Sequence, residues 1–309
     1  MRVVFFGTSP FGLPALDALK NSSHTLLSIV TQPDRPSGRN LTARPSAVKE
    51  WATAHALPSL ELTKENEIEC VRQLSSINAD VFIVISFGKL LKLNLLEMPK
   101  IAPLNVHASL LPRWRGASPM QSAILAGDAE TGVGVIRMVE VLDAGDVLLE
   151  KRLKVDARET ILTLEPKLAE LGAFALIEAL SLLEKGAPQW KPQAREGVTV
   201  CTKIKKENGR LAWVQPAEIL DREVRAFLRW PGSFTFLNEK RIIVKRCRVD
   251  LGSPGQAPGR VLRADVSGVY VAAGQGTLVL EELQLEGRRA MLAGEFLKGF
   301  PLKSGDNLS

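Results

Sequence analysis

Apolar runs and amphipathic runs alternate along the N-terminal half of the chain. RVVFF (2–6) has no polar break and reads as a strand buried on both faces, and the spaced apolar positions of PALDALKN after it predict a helix. HTLLSIVT (24–31) repeats the strand texture, PSAVKEWATAHA (45–56) and NEIECVRQLSSI the helical one, and ADVFIVISF (79–87) is again a strand. Strict alternation predicts an α/β domain, a parallel sheet with helices on both faces. Ligands of such sheets bind beyond the carboxyl ends of the strands. Gly7, Ser86 and His107 each stand at or just after a predicted strand end, so they share one rim.

The texture changes in the second half. A long helix rich in Leu and Ala is predicted over 159–187, ended by Gly186. PQWKPQAREGVTVCTKIKKENG then loses apolar periodicity, holds two prolines and several cations, and reads as a linker. Beyond it SFTFL, RIIVKRCRV, GRVLRAD, GVYVAAG and GTLVLEELQL are short β-type runs between Gly, Pro and Asp turns. Such a series suggests a small β-barrel, the oligonucleotide-binding (OB) type being one member of that class. The boundaries expected are a domain over 1–186, a linker over 187–205 and a second domain over 206–309.

Length and composition fit this plan. The 309 residues suffice for two domains, and 45% hydrophobic with 24% charged residues is the balance of a globular protein. Apolar runs fall short of the roughly 18 to 20 residues that span a bilayer, and MRVVFFGTSP meets a glycine turn too early to act as a secretory signal. The expectation is a soluble cytoplasmic protein, with no apolar stripe calling for a partner subunit and hence a monomer. Cys70, Cys201 and Cys247 are far apart without a CxxC pair, and His24 and His55 are isolated, so reduced thiols and no metal are expected. Charge is uneven. Residues 1–186 carry 20 Lys and Arg against 21 Asp and Glu, and residues 187–309 carry 20 against 13, a net of −1 and +7. A polyanionic partner for the second half is one reading, a solvated basic face the other.

Three stretches carry candidate chemistry. GTSPFG (7–12) follows the first strand, but it is neither G-x-G-x-x-G nor a P-loop, and it reads as a tight strand-to-helix turn with Pro10 near the first helical turn. In NVHASLLPRWRG (105–116), Asn105 and His107 alternate along a short strand and face one way. EVLDAGDVLLE (140–150) offers Asp143 or Asp146 as a carboxylate to hold the histidine charged, and an imidazolium beside an amide donor cradles a developing oxyanion. No serine or cysteine stands in a nucleophile elbow, so a nucleophile would arrive with the substrate. TQPDRPSGRNLTARPSAVK (31–49) is a long irregular loop studded with Arg35, Arg39 and Arg44, which can reach phosphates or base edges or simply be solvated.

Together, SLLPRWRG (109–116) after NVHA, with LDAGD (142–146), resembles the 10-formyltetrahydrofolate-dependent formyltransferases. FFGTSPFGLPALDAL, TQPDRPSGR and RAFLRWPGSF (225–234) resemble specifically the methionyl-tRNA formyltransferase family, and the likeness runs over nearly the whole chain. Glycinamide ribonucleotide formyltransferase shares the Asn, His and Asp but ends after the first domain. The resemblance implies a Rossmann-like catalytic domain and an OB-like C-terminal barrel that helps bind initiator tRNA. Asn105 and His107 would stabilise the oxyanion, and Asp143 would orient His107 and help move the amine proton. The folate would lie against Ile85, Ser86, Phe87, Gly88 and Leu90 and against Ser109, Leu110, Leu111 and Pro112. Met-charged initiator tRNA would meet Arg35, Arg39 and Arg44 in the loop, Lys203, Lys205 and Lys206 in the linker, and Arg241, Lys245 and Arg246 beyond it.

Two places depart from the family pattern. Asn40–Ala43 stand where GRGKKL supplies two lysines, and RAFLRWP has Leu228 and Arg229 in the variable places of RAFNPWP. Competing readings keep the trio but change the acceptor: an amino sugar nucleotide, or water in a hydrolase. A further one is a non-catalytic RNA-binding protein. The basic second domain suits a tRNA best.

Overall fold

The structure of the protein is a computed structural model that describes residues 1–37, 42–186, 188–252 and 255–309. The chain forms two compact units, one of residues 1–119, 130–154 and 165–202, the other of 120–129, 155–164 and 203–309. The stretch expected as one domain over 1–186 thus lends two segments to the second unit, and the first unit takes in most of the expected linker.

The first unit is built on a seven-stranded sheet. In chain order its elements are β1 (Arg2–Gly7), α1 (Leu13–Lys20), β2 (Thr25–Thr31), β3 (Arg35–Ser37), β4 (Thr42–Arg44), α2 (Ala47–Ala54), β5 (Ser59–Glu61), α3 (Glu67–Ile77), β6 (Val81–Ile85), α4 (Leu93–Leu96), β7 (Ala102–His107) and β8 (Arg115–Gly116). Past α5 (Pro119–Ala126), which but for Pro119 belongs to the second unit, come β9 (Glu130–Arg137), β10 (Val147–Lys154), α6 (Ile161–Glu184), whose first four residues also belong to the second unit, and β11 (Val200–Cys201). The sheet order is β10-β9-β7-β6-β1-β2-β5. From β5 to β7 neighbouring strands are parallel, and β9 and β10 join antiparallel.

Burial follows the apolar pattern. Val3, Val4, Phe5 and Phe6 of β1 and Val81, Phe82 and Ile83 of β6 are fully buried, as sheet centre strands covered on both faces must be. At the glycine turn, Ser9 Oγ accepts from the Phe11 N–H at 3.3 Å, capping a short 3₁₀ turn over Pro10–Gly12. The chain turns from β1 to β2 on one side and later returns to β6 on the other, so the strand order reverses beside β1. Thr8 Oγ1 and Gln32 Nε2 both donate to the Phe87 carbonyl, at 3.1 and 2.6 Å, and tie three strand ends at that reversal. The arginine loop, expected to be irregular, contains the antiparallel pair β3–β4 with Arg35 opposite Arg44; Arg39 lies outside the described residues.

The second unit holds α7 (Ala217–Phe227), β12 (Ser233–Leu237), β13 (Lys240–Asp250), β14 (Val261–Asp265), β15 (Gly268–Ala272), β16 (Thr277–Leu285), β17 (Ala290–Leu292) and α8 (Ala293–Gly299). Its antiparallel sheet runs β12-β13-β16-β15-β14, with β17 on β16. The C-terminal tail bridges the two edges. Phe236 and Ser309 exchange backbone hydrogen bonds at 2.9 and 3.0 Å, while Leu308 donates to Gly259 O and Val261 to Asp306 O, both at 2.8 Å. Edge groups that would otherwise stand open are thereby paired. Inside, the Trp213 indole N–H donates to Thr235 Oγ1 at 2.9 Å, which satisfies a buried polar group within the apolar core.

Glu223 of α7 is one exception to that economy, beside Ser233 Oγ and Arg241 Nε. Its Oε2 is buried without a hydrogen-bond partner among the described residues, and desolvation pushes its carboxyl up to about 7. A folded-state value above the unfolded one favours folding while the group is protonated in both states, and that contribution is lost as pH rises through about 7. Glu223→Gln should therefore flatten the pH dependence of unfolding between about pH 5 and about pH 8. At the alkaline end it should stabilise the unit by on the order of 2 kcal/mol, discounted for partial exposure and read by urea denaturation.

Candidate active site

Asn105 and His107 lie two apart at the end of β7, so the strand period points both toward one face. The carboxylate that meets both belongs to Asp143 rather than Asp146. Asn105 Nδ2 donates to Asp143 Oδ1 at 3.1 Å, and His107 Nδ1 stands 3.6 Å from Asp143 Oδ2. Both His107 and Asp143 side chains are less than a tenth exposed. On the far side of the ring, His107 Nε2 lies 2.9 Å from the Trp114 carbonyl. A carbonyl can only accept, so this contact assigns the Nε2 proton and leaves Nδ1 facing the carboxylate.

The carboxylate is held by backbone as well. Gly116 N–H donates to Asp143 Oδ2 at 2.8 Å. Asp143 itself adopts φ +50°, a left-handed conformation that only the surrounding bonds can sustain at a non-glycine residue. Gly116 has φ +115°, and a Cβ there would lie 2.2 Å from the Cys201 carbonyl. That close approach arises because β8 pairs in parallel with β11, from the span expected to be a linker.

This span is a strap on the first unit as far as Thr202. Trp114 N–H donates to Thr199 Oγ1 at 2.8 Å, Arg115 N–H to Thr199 O at 2.9 Å and Ala117 N–H to Cys201 O at 3.0 Å. Further back, Val147 and Lys191 exchange backbone bonds at 2.8 and 2.9 Å, and Arg137 stacks over the Trp190 ring at 4.4 Å. The buried Cys201 thiol donates to the Arg115 carbonyl at 3.3 Å and accepts from Ser118 N–H at 3.4 Å, a structural use of the cysteine.

A cleft opens beside the trio. Leu90, Ile136, Met138, Val139 and Leu142 line it together with Arg137, Glu140 and Asp143, so apolar side chains and charged groups share its walls. The residues expected to meet a folate divide. Leu90 lines the cleft and is 69% exposed, whereas Ile85, Phe87 and Leu111 are buried, Leu111 packing with Ile136 behind the wall. Ser109 is fully buried, and its Oγ donates to the Arg113 carbonyl at 2.6 Å. Ser86 and Gly88 are exposed at the end of β6 with φ +48° and +75°, and Leu110 and Pro112 are partly buried. Sequence reasoning missed the wall from Ile136 to Leu142. Val139, Val141 and Leu142 are apolar yet 42%, 65% and 50% exposed, and only the folded chain shows that these apolar positions stay on the surface.

The cations expected to meet RNA also divide. Arg44, Lys203, Lys205 and Lys206 are exposed, and the Arg35 and Arg39 side chains fall outside what the structure describes. Arg241 is 13% exposed, stacks on Phe234 at 3.8 Å and pairs with Glu286 at 3.1 Å, which makes it a packing residue. Lys245 and Arg246 line a groove of the second unit together with Arg158 and Arg225, two arginines that sequence reasoning did not single out. Buried Asp221 fixes both, at 2.7 Å from Arg158 Nη1 and 2.8 Å from Arg225 Nε. Among the described residues no cluster of three or more His, Cys, Asp or Glu side chains is arranged to hold a metal, and no helix is long and apolar enough to cross a membrane.

A parallel sheet with an Asn–His–Asp trio at its rim, followed by a separate antiparallel unit, is the plan of a formyl transferase. Residues 1–180 match the family model described as "Formyl transferase", and residues 203–301 that described as "Formyl transferase, C-terminal domain". The chain is 43% identical over 311 residues to methionyl-tRNA formyltransferase of Thiobacillus denitrificans, covering 100% of this chain and 99% of that one. It therefore belongs to the methionyl-tRNA formyltransferase family. Among solved structures it shares its fold with methionyl-tRNA formyltransferase from Clostridium thermocellum, with TM-score 0.57 and 17% identity over 82% of this chain and 95% of that one. HypX from Aquifex aeolicus in complex with tetrahydrofolic acid gives TM-score 0.63 and 18% identity over 100% of this chain, which spans 50% of that longer one.

Gly145 tests how tightly the aspartate turn is packed. A Cβ at this position would lie 1.7 Å from the Arg137 carbonyl, and backbone cannot step aside cheaply. Gly145→Ala should cost at least about 3 kcal/mol in unfolding free energy. Any variant that does fold should be slower in formyl transfer, because the turn carrying Asp143 must move.

Proposed function

We propose that the chain transfers the formyl group of 10-formyltetrahydrofolate to the α-amine of methionine esterified to initiator tRNA, in the cytoplasm and as a monomer. The observation that carries the chemistry is the convergence of Asn105 and His107 on the Asp143 carboxylate. Full-length relatives at 43% and 41% identity that are methionyl-tRNA formyltransferases support the choice of acceptor. The cleft that Asp143 lines places the apolar side chains of Leu90, Met138 and Leu142 next to the carboxylate, contacts of the kind a folate ring would use.

The folate donor supplies an electrophilic formyl carbon, and the amine attacks it with its lone pair. Charge then develops on the formyl oxygen. Asn105 spends one amide hydrogen on Asp143 and has a second to donate there, while His107, whose ring nitrogens face the Trp114 carbonyl and the Asp143 carboxylate, contributes as a nearby imidazolium rather than through a free N–H. Asp143 receives the proton released as the amine becomes an amide. When the bond from the formyl carbon to folate N10 breaks, that proton goes to N10, so charge and protons balance. The cations of the second unit and of the loop meet the tRNA backbone, giving attraction that needs no base recognition.

Asp143→Asn keeps the shape of the turn and removes the base. Turnover should fall by roughly 10²- to 10⁴-fold with folate affinity nearly unchanged. Near-normal turnover in that variant would end the assignment. The acceptor is tested by following tetrahydrofolate release with Met-charged initiator tRNA, Met-charged elongator tRNA, or none. Release with the initiator alone is expected, and equal release without acceptor would identify a hydrolase. tRNA binding should weaken steeply between low and moderate salt, and a flat salt response would remove the basic unit from the RNA interface.

A further inference from the structure

We infer that Gln193, in the strap between α6 and β11, is a positioning residue for Asp143, an inference that rests on the function proposed above. Asp143 sits in a left-handed backbone conformation at a turn, and such a residue drifts unless its neighbours over-determine it. Gln193 provides that determination from outside the turn. Its Nε2 donates to the Asp143 carbonyl at 2.7 Å and to the Gly145 carbonyl at 2.8 Å. A side-chain amide nitrogen has two hydrogens, and here each reaches one of the two carbonyls that the turn brings side by side.

The other end of the amide is engaged too. Gln193 Oε1 accepts from Arg115 Nε at 3.0 Å and from Arg115 Nη2 at 2.7 Å. Arg115 stands between Trp114, whose carbonyl meets His107 Nε2, and Gly116, whose N–H meets the Asp143 carboxylate. One side chain thus joins the backbone that carries the carboxylate to the strand that grips it. Rotating or removing the amide leaves two carbonyls and a guanidinium without their partner while the carboxylate stays attached to a loosened turn. The effect expected is a misplaced Asp143, and a small misplacement of a reacting group is expensive in rate but not in substrate binding. Nothing in the composition of PQWKPQAREGV marks this glutamine, because its role exists only once the strap has folded back.

The test compares wild type, Gln193→Met, Asp143→Asn and the double variant in steady-state formylation with 10-formyltetrahydrofolate and Met-charged initiator tRNA. Gln193→Met keeps the length of the side chain and removes all four hydrogen bonds. Its kcat should fall roughly 10- to 100-fold, with both KM values within about threefold of wild type. In the Asp143→Asn background it should slow the reaction by no more than about twofold, because the two residues act through one group. A kcat near wild type, a loss carried by KM, or an equal loss in the Asp143→Asn background would each overturn the inference. If circular dichroism shows Gln193→Met unfolded, Gln193→Glu answers to the same criteria, since it keeps an acceptor for Arg115 and loses the donor hydrogens. Failure of the wild type to release tetrahydrofolate would instead remove the functional reading, and this inference with it.

Discussion

The carboxylate of Asp143 is the point at which the first unit is tied together. It accepts from Asn105 Nδ2 and from Gly116 N–H and faces His107 Nδ1, so β7, β8 and the turn before β10 share one charge. A charge this poorly exposed is tolerable because it is hydrogen-bonded on both oxygens. Several local oddities follow from that requirement. Asp143 takes a positive φ to aim the carboxylate, Gly145 lies against the Arg137 carbonyl to let the chain turn, and Gly116 lies against Cys201 to bring its N–H within reach. Each is costly in isolation, and together they form the setting of the trio.

The strap explains how those costs are sustained. A turn of this kind on a bare sheet edge would exchange with relaxed forms, since loops with few buried partners open at small free-energy cost. Pairing β11 with β8, Lys191 with Val147 at the sheet edge and Gln193 with the turn adds hydrogen bonds that the sheet alone does not supply. The wall of the cleft, from Ile136 to Leu142, leads directly into the same turn. Placement of the carboxylate and the form of the cleft are therefore coupled through a few residues of backbone.

The sequence was readable where one physical cause acted over a short distance. Continuous apolar runs marked β1, β2 and β6 because a strand covered on both faces has no polar positions, and the spacing of Asn105 and His107 gave their common face because strand alternation is strict. The choice between Asp143 and Asp146 was open from spacing and came from the motif resemblance. Residues whose surroundings come from far along the chain were misread. Gln193 lies in a stretch with two prolines and no periodicity, the composition of a linker, yet its partners are Arg115 and Asp143. Arg241 counted as part of a basic face from charge alone, whereas it packs on Phe234 with Glu286 as its counter-ion. Arg158, far from the basic half in sequence, is held in the groove by Asp221.

Charge in the second unit accordingly has two kinds of work. Arg158 and Arg225 share the buried Asp221 carboxylate, and their other bonds run to the carbonyls of Cys247 and Glu159, so these two cations, Arg158 from outside the basic half and Arg225 from within it, hold this unit together. Lys203, Lys205 and Lys206 are exposed. A phosphate backbone attracts mobile cations at little reorganisation cost, but a guanidinium already bonded to a carboxylate must keep that geometry to hold the fold. The exposed lysines can therefore adapt to a nucleic acid, while the fixed arginines present a set spacing.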